Sequence, residues 1–219
     1  HPVAIGLCKV RIANSGTASY EAAATVDRLI AITETQPAVR KSLLWSDEFS
    51  GTQGSGPNSA TWLTKVGNGC APPDNNCGWG NNELQSYVTS ANTLDGSGVL
   101  NIKANRCLSG STCWTSGKLI TYNKVSFSYG YLEARIKMPS GIGTWPAFWM
   151  LGTDSYTNLW PKCGEIDIAE GSGAQPGKLW GTAHYADATG AHRYKGTTTT
   201  KAYNLSDDFH TYAIKWTPT

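Results

Sequence analysis

The chain has 219 residues, with 18 Lys and Arg against 16 Asp and Glu, a formal charge of +2 and a charged fraction of 16%. A near-neutral balance without any run of like charges excludes a binder built on basic clusters, so no nucleic-acid partner is expected. No apolar run reaches the roughly 20 residues that a membrane span needs, so no membrane partner is expected either. Gly 24, Trp 9 and Tyr 10 beside 4 Phe point to turns, strands and amphipathic aromatic surface rather than to a helical bundle.

In chain order, the first stretch differs from the rest. Leu7 to Ile12 and Ala24 to Ile32 alternate as two strands around the turn-rich Asn14 to Tyr20. Two strands alone do not make a stable module. The run GLCKVRIANSGTASYEAAATVDRLIAIT resembles the closing strands of bacterial immunoglobulin-like repeat domains. That likeness implies that residues 1–41 are the C-terminal remnant of such a domain plus a linker, and that a second domain occupies 42–219. The opening His1-Pro2-Val3 lacks the basic start and apolar run of a signal peptide, so the chain reads as a fragment or a mature piece.

Six cysteines follow a pattern of their own. Cys70 and Cys77, and Cys107 and Cys113, bracket short polar loops, which predicts two local disulfides and an oxidising, extracellular compartment. Neither pair has C-x2-C spacing and no His lies close to either, so zinc is not expected. Cys163 reads as a small buried residue, and Cys8 has no evident partner.

From Leu43 onward, strand candidates come at short intervals: Leu84 to Val88, Val99 to Ala104, Tyr131 to Met138, Ala147 to Leu151, Glu165 to Glu170, Leu179 to Tyr185 and Thr211 to Trp216. Gly, Asn, Pro and Ser separate them, Ser59 to Leu63 hints at one helical turn, and Thr197 to Thr200 is a short polar run. Many short strands with turn punctuation predict an all-β sandwich or jelly roll.

Two of these stretches join aromatics to polar groups. Trp79 to Tyr87 carries Asn81 and Glu83, and Gly141 to Met150 carries Trp145 and Trp149, which share a face if the segment is a strand. Indole faces stack on the C–H faces of sugar rings while amides and carboxylates bond the hydroxyls. For one of two tryptophans, core packing is the plainer alternative.

The stretch Glu165-Ile166-Asp167-Ile168-Ala169-Glu170 gathers three carboxylates in six residues. Glu165 and Asp167 share a face, with Ile166 and Ile168 turned inward. Strict alternation sends Glu170 to the core side, and one surplus residue near Ile168 or Ala169, a bulge, returns it to the acids. An exposed strand with incidental acids is the competing reading, although mutual repulsion gives such a strand little reason to collect them.

The motifs WSDEFSG, WGNNELQSY, YGYLEARIKMPSGIGTWPAFWML, GEIDIAEG and GTAHY, in this order over residues 44–219, resemble glycoside hydrolase family 16, and within it the laminarinase-like β-1,3-glucanases. The resemblance implies a concanavalin A-like jelly-roll β-sandwich with a substrate cleft across the concave sheet. It implies Glu165 as nucleophile, Glu170 as general acid/base and Asp167 as the acid between them that holds and tunes the pair. Retaining glycosidases need two carboxyl groups about 5–5.5 Å apart, one ionised and one protonated. Repulsion is expected to keep Glu170 the protonated one.

The likeness also implies Asn81, Glu83, Trp145, Trp149 and His184 as substrate-binding, with Arg135 steadying a carboxylate or a sugar hydroxyl. A lone His in a strand is more often structural. No catalytic metal and no required cofactor are implied, while Asp47 and Glu48 fall near half of a structural calcium site that the family often carries. The family's domain continues past Thr219, so the present 219 residues are expected to be poorly stable and weakly active by themselves. The expected protein is a secreted, monomeric, bacterial endo-β-1,3- or β-1,3/1,4-glucanase acting on polysaccharide. The alternatives are a hydrolase of algal galactans and a non-catalytic glucan-binding module, and retention of both Glu165 and Glu170 weighs against the latter.

Overall fold

A computed structural model describes residues 10–15, 41–107 and 113–218. In chain order the strands are β1 (Val10–Ser15), β2 (Lys41–Asp47), β3 (Leu63–Thr64), β4 (Gln85–Tyr87) and β5 (Asn92–Leu94). Then come β6 (Leu100–Ile102), β7 (Asn105–Arg106), β8 (Trp114–Ser116), β9 (Leu119–Ile120) and β10 (Gly130–Ile136). The last five are β11 (Ala147–Leu151), β12 (Glu165–Gly171), β13 (Lys178–Ala186), β14 (His192–Thr200) and β15 (His210–Trp216). Among the described residues the helical content is two short 3-10 turns, Cys77–Gly80 and Thr89–Ala91.

Two four-stranded antiparallel sheets carry the architecture, one ordered β15-β10-β1-β2 and the other β11-β12-β13-β14. Their inner faces pack together in a jelly-roll sandwich, as two one-sided apolar sheets must. Leu132 and Ala134 from β10 and Tyr212 from β15 meet Ile168 and Ala169 from β12, with Phe49, Leu94, Met138 and Leu205 closing the edges. The seven sequence-predicted strands from Leu84 onward are all present within a few residues of their expected bounds. The turn expected at Ser59 to Leu63 appears as amides of Thr61 and Trp62 bonded to the Asn58 carbonyl.

Two departures stand out. The sequence predicted no strand over 192–200, yet β14 spans it, paired along its whole length with β13. It is an edge strand exposed at every position, so it has no buried face to impose alternation. At the other end, β1 lies between β2 and β10 as an inner strand of the first sheet, three residues later than the expected Leu7 to Ile12. The second expected strand, Ala24 to Ile32, the linker at 34–40 and Cys8 lie outside the described residues. An immunoglobulin-like origin for residues 1–41 is therefore a proposal only.

Cys70–Cys77 and Cys107–Cys113 are disulfides, and Cys163 is a free, half-buried thiol. Cys163 ends the loop that leads into β12. There Gly152 packs against the Cys163 carbonyl too closely for any Cβ, and Gly164 turns the chain at φ +74° one residue before Glu165.

Candidate active site

β12 is an inner strand, flanked by β11 and β13, and its pairing contains one residue too many on both sides. Against β13, Asp167 faces Thr182 and Glu170 faces Trp180, so three steps on β12 match two on its partner. Against β11, Asp167 faces Trp149 while Ala169 faces Phe148. The surplus residue is Ile168. The bulge that alternation demanded is present, and it buries Ile168 and Ala169 side by side in the core while Glu165, Asp167 and Glu170 gather on the opposite face.

Asp167 is the hub of the acids and is only 5% exposed. Its carboxyl pKa is pushed up to about 8 by burial first, then by the charges of Glu165 and Glu170 and by a side-chain hydrogen bond to Glu165. At neutral pH the Asp167 hydroxyl therefore donates to the Glu165 carboxylate. The sequence argument placed the raised acid at Glu170, whereas the structure places the large shift at the buried middle acid. Burial is the largest cause at Asp167, and repulsion from Glu165 and Glu170 adds to it.

The two outer acids have different surroundings. Trp145, 54% exposed, donates its indole N–H to Glu170 Oε1 at 2.9 Å. On the Glu165 side, His184 from β13 sits opposite Glu165 and places Nε2 3.1 Å from Asp167 Oδ2. Glu165, Asp167 and His184 offer atoms within 4.8 Å of one another. A cation held there would have to displace the proton that Asp167 shares with Glu165.

Trp149 faces Asp167 across the sheet, and the Lys118 ammonium lies 5.0 Å from its ring centroid. Lys118 also lies 4.4 Å from Trp79 and 5.7 Å from Tyr87. Burial pushes its pKa down, while the charges of Glu83 and Glu165 oppose that shift. Glu83 is held in turn by Asn81 Nδ2 at 3.2 Å and by the Tyr87 hydroxyl at 3.0 Å, with Gln85 Nε2 on the same carboxylate. The expected polar pair thus connects to the acids through a cation that the sequence reading missed. A single Lys in Ser116-Gly117-Lys118 carries no spacing signal.

Glu165, Asp167, Glu170, Trp145, Trp149 and His184 converge, with Asn81 and Glu83 joined to them through Lys118. Arg135 does not join them. It lies on β10 in the opposing sheet, out of phase with buried Leu132 and Ala134, and stacks its guanidinium 4.6 Å from the Phe209 ring. Aromatic surface borders the acids on both sides: Trp145 near Glu170, and Trp160, 48% exposed, near His184. A row of acids between exposed indoles, on a sheet face open to water, can bind a ring polymer and transfer protons to it.

Residues 76–219 match the model of glycosyl hydrolases family 16. The chain is 40% identical over 185 residues to the beta-glucanase of Rhodothermus marinus, covering 80% of this chain and 59% of that protein. It is 35% identical over 199 residues to glucan endo-1,3-beta-glucosidase A1 of Niallia circulans, covering 84% and 28%. The chain thus spans less than two thirds of each of these curated relatives. Among solved structures, the endo-beta-1,3-glucanase from Pyrococcus furiosus superposes with a TM-score of 0.69 at 36% identity, covering 81% of this chain and 68% of that one.

Proposed function

The chain belongs to glycosyl hydrolases family 16, and from that premise we propose that it cleaves β-1,3-glucan, or mixed β-1,3/1,4-glucan, internally and with retention. The observation that carries this reading is the bulged β12, which sets Glu165, Asp167 and Glu170 on one face, opposite the core. Glu165, receiving the Asp167 proton as a hydrogen bond, attacks the anomeric carbon. Glu170, oriented by the Trp145 indole, protonates the leaving oxygen and then takes a proton from the water that releases the glycosyl-enzyme. Asn81 and Glu83 fit sugar hydroxyls at the rim, and Trp145 and Trp149 fit ring faces. Trp145, the more exposed, is the better platform.

The reaction needs no cofactor. A structural calcium would draw on Asp47 and Glu48, but Asp47 already commits Oδ1 to the Phe49 amide and Oδ2 to the Trp62 indole, each at 2.7 Å. Each of these oxygens keeps a second lone pair, so Asp47 and Glu48 offer oxygen ligands to such an ion, with the rest of its shell to come from elsewhere. The two disulfides support an extracellular protein, and a monomer acting on polysaccharide outside the cell is the working picture.

The test is reducing-end release from laminarin, lichenan and agarose, with the anomer of the first product read by NMR. Release from laminarin or lichenan as the β-anomer is expected. Agarose as the preferred substrate would move the reading to galactans, and binding without release would move it to a recognition module.

A further inference from the structure

Beyond the acids, the face around Glu165 carries a second group that the proposed reaction does not use. His192, the first residue of the exposed edge strand β14, places Nε2 2.9 Å from His184 Nδ1, with the rings stacked at 5.1 Å and 22°. The contact is built. Trp160 covers His192 at 4.5 Å, and Tyr194 lies 6.0 Å from each imidazole. His184 meanwhile faces Asp167 through its other nitrogen.

A neutral imidazole has one N–H and one bare nitrogen, and a hydrogen bond to one nitrogen sets which form the ring adopts. Asp167 has a single proton, and that proton goes to Glu165. His184 Nε2 must then be a donor toward Asp167, which leaves Nδ1 as an acceptor. Across a 2.9 Å nitrogen–nitrogen contact, the partner must carry the hydrogen. We infer that His192 is a positioning residue: its Nε2–H holds His184 in the Nε2–H tautomer, completing a one-way chain of donors from His192 through His184 and Asp167 to Glu165.

Among the described residues other charged groups border this face, with Glu170 and Lys118 farther along it. Glu165 and Asp167 approach from β12. Lys162 lies over Gly190 from the loop before β12. Arg193, the second residue of β14, pairs at 2.8 Å with Asp187 in the turn before it. None of these supplies a hydrogen to His184 Nδ1, so the task falls to His192.

The inference rests on the glycosidase reading for its kinetic consequence but not for its geometry, so the experiment has two arms. In the first, nitrogen-15 NMR of the full chain without substrate reads the ring nitrogens of His184. Wild type is expected to carry the hydrogen on Nε2, and His192→Phe is expected to show a tautomer mixture. A wild-type His184 with its hydrogen on Nδ1 overturns the inference whatever the substrate is.

In the second arm, His192→Phe keeps a flat ring but removes the donor, while His192→Gln places an amide N–H where Nε2 stood. The Phe variant is expected to lose about tenfold in kcat with KM within about twofold, and the Gln variant to stay within about threefold of wild type. Equal losses in both variants, or none in the Phe variant, overturn it. Should the Phe variant fail to fold, the wild-type tautomer and the Gln variant decide.

Discussion

β10 and β12 are inner strands of the two opposed sheets, and each is seven residues long. β10 pairs with β15 residue for residue from Gly130 to Ile136 without a shift. Leu132 and Ala134 point into the core, and Glu133 and Arg135 point away from it. β12 breaks that regularity with one surplus residue at Ile168. A regular strand offers polar positions only at every second residue. The irregular one places two core residues in succession and crowds its acids on the other face. Polarity on β10 ends as an Arg135–Phe209 stack, while polarity on β12 ends as a site. Local geometry, more than residue type, separates the two.

The sharpest way to break this contrast is to remove one residue from each strand. Deletion of Glu133 would turn Arg135 inward or Leu132 outward, and we expect no cooperative thermal transition by circular dichroism. Deletion of Ala169, buried at 0% exposure, instead restores regular alternation with Glu170 still on the acid face. That variant is expected to keep a cooperative melt and measurable turnover. If both deletions unfold alike, the bulge is not the difference between the strands.

Next in size come substitutions that keep the backbone. Glu165→Gln and Glu170→Gln should each lower kcat by about 10³-fold or more with little change in melting temperature. Arg135→Ala should leave kcat/KM within about twofold, because its guanidinium lies on the opposed sheet. A large kinetic loss from Arg135→Ala would place catalytic work on the wrong strand.

Asp167 sharpens the comparison through pH. Its pKa is about 8 in the folded chain against an ordinary 3.8, so the unfolded chain releases this proton first as pH rises. Between about pH 4 and 8 the folded state binds more protons, and wild-type stability falls with rising pH from this group, at most by about 1.4 kcal/mol per unit. Asp167→Asn cannot titrate. Its stability should gain on wild type across that window in urea titrations, and the fall in kcat above about pH 8 should disappear from its profile. A smaller loss than at either catalytic glutamate is expected from Trp145→Phe, which removes one exposed indole donor to Glu170. About a fivefold loss in kcat/KM is expected, with the fold unchanged.

The sandwich was largely legible because its inner strands alternate against a core, and alternation is a local property of the chain. β14 was not, since an edge strand exposed on both faces leaves no apolar period to read. Arg135 was misplaced for a related reason. Its strand and the acid strand have the same pattern, and only the sheet assignment puts them on opposite sides of the molecule. Lys118 and His192 were invisible as single residues, because their partners lie on strands distant in sequence: Trp79, Tyr87 and Trp149 for one, His184 and Trp160 for the other.

The spacing Glu165-x-Asp167-x-x-Glu170 by itself determined that a strand able to use all three acids must bulge, since side chains alternate with period two and five is an odd number of steps. What only the tertiary structure decided is the raised pKa of the middle acid. That depends on depth and on the count of nearby charges, and folding buries Asp167 between two carboxylates and under His184. No reading of spacing contains those distances, because burial belongs to the packed sheets and not to the strand.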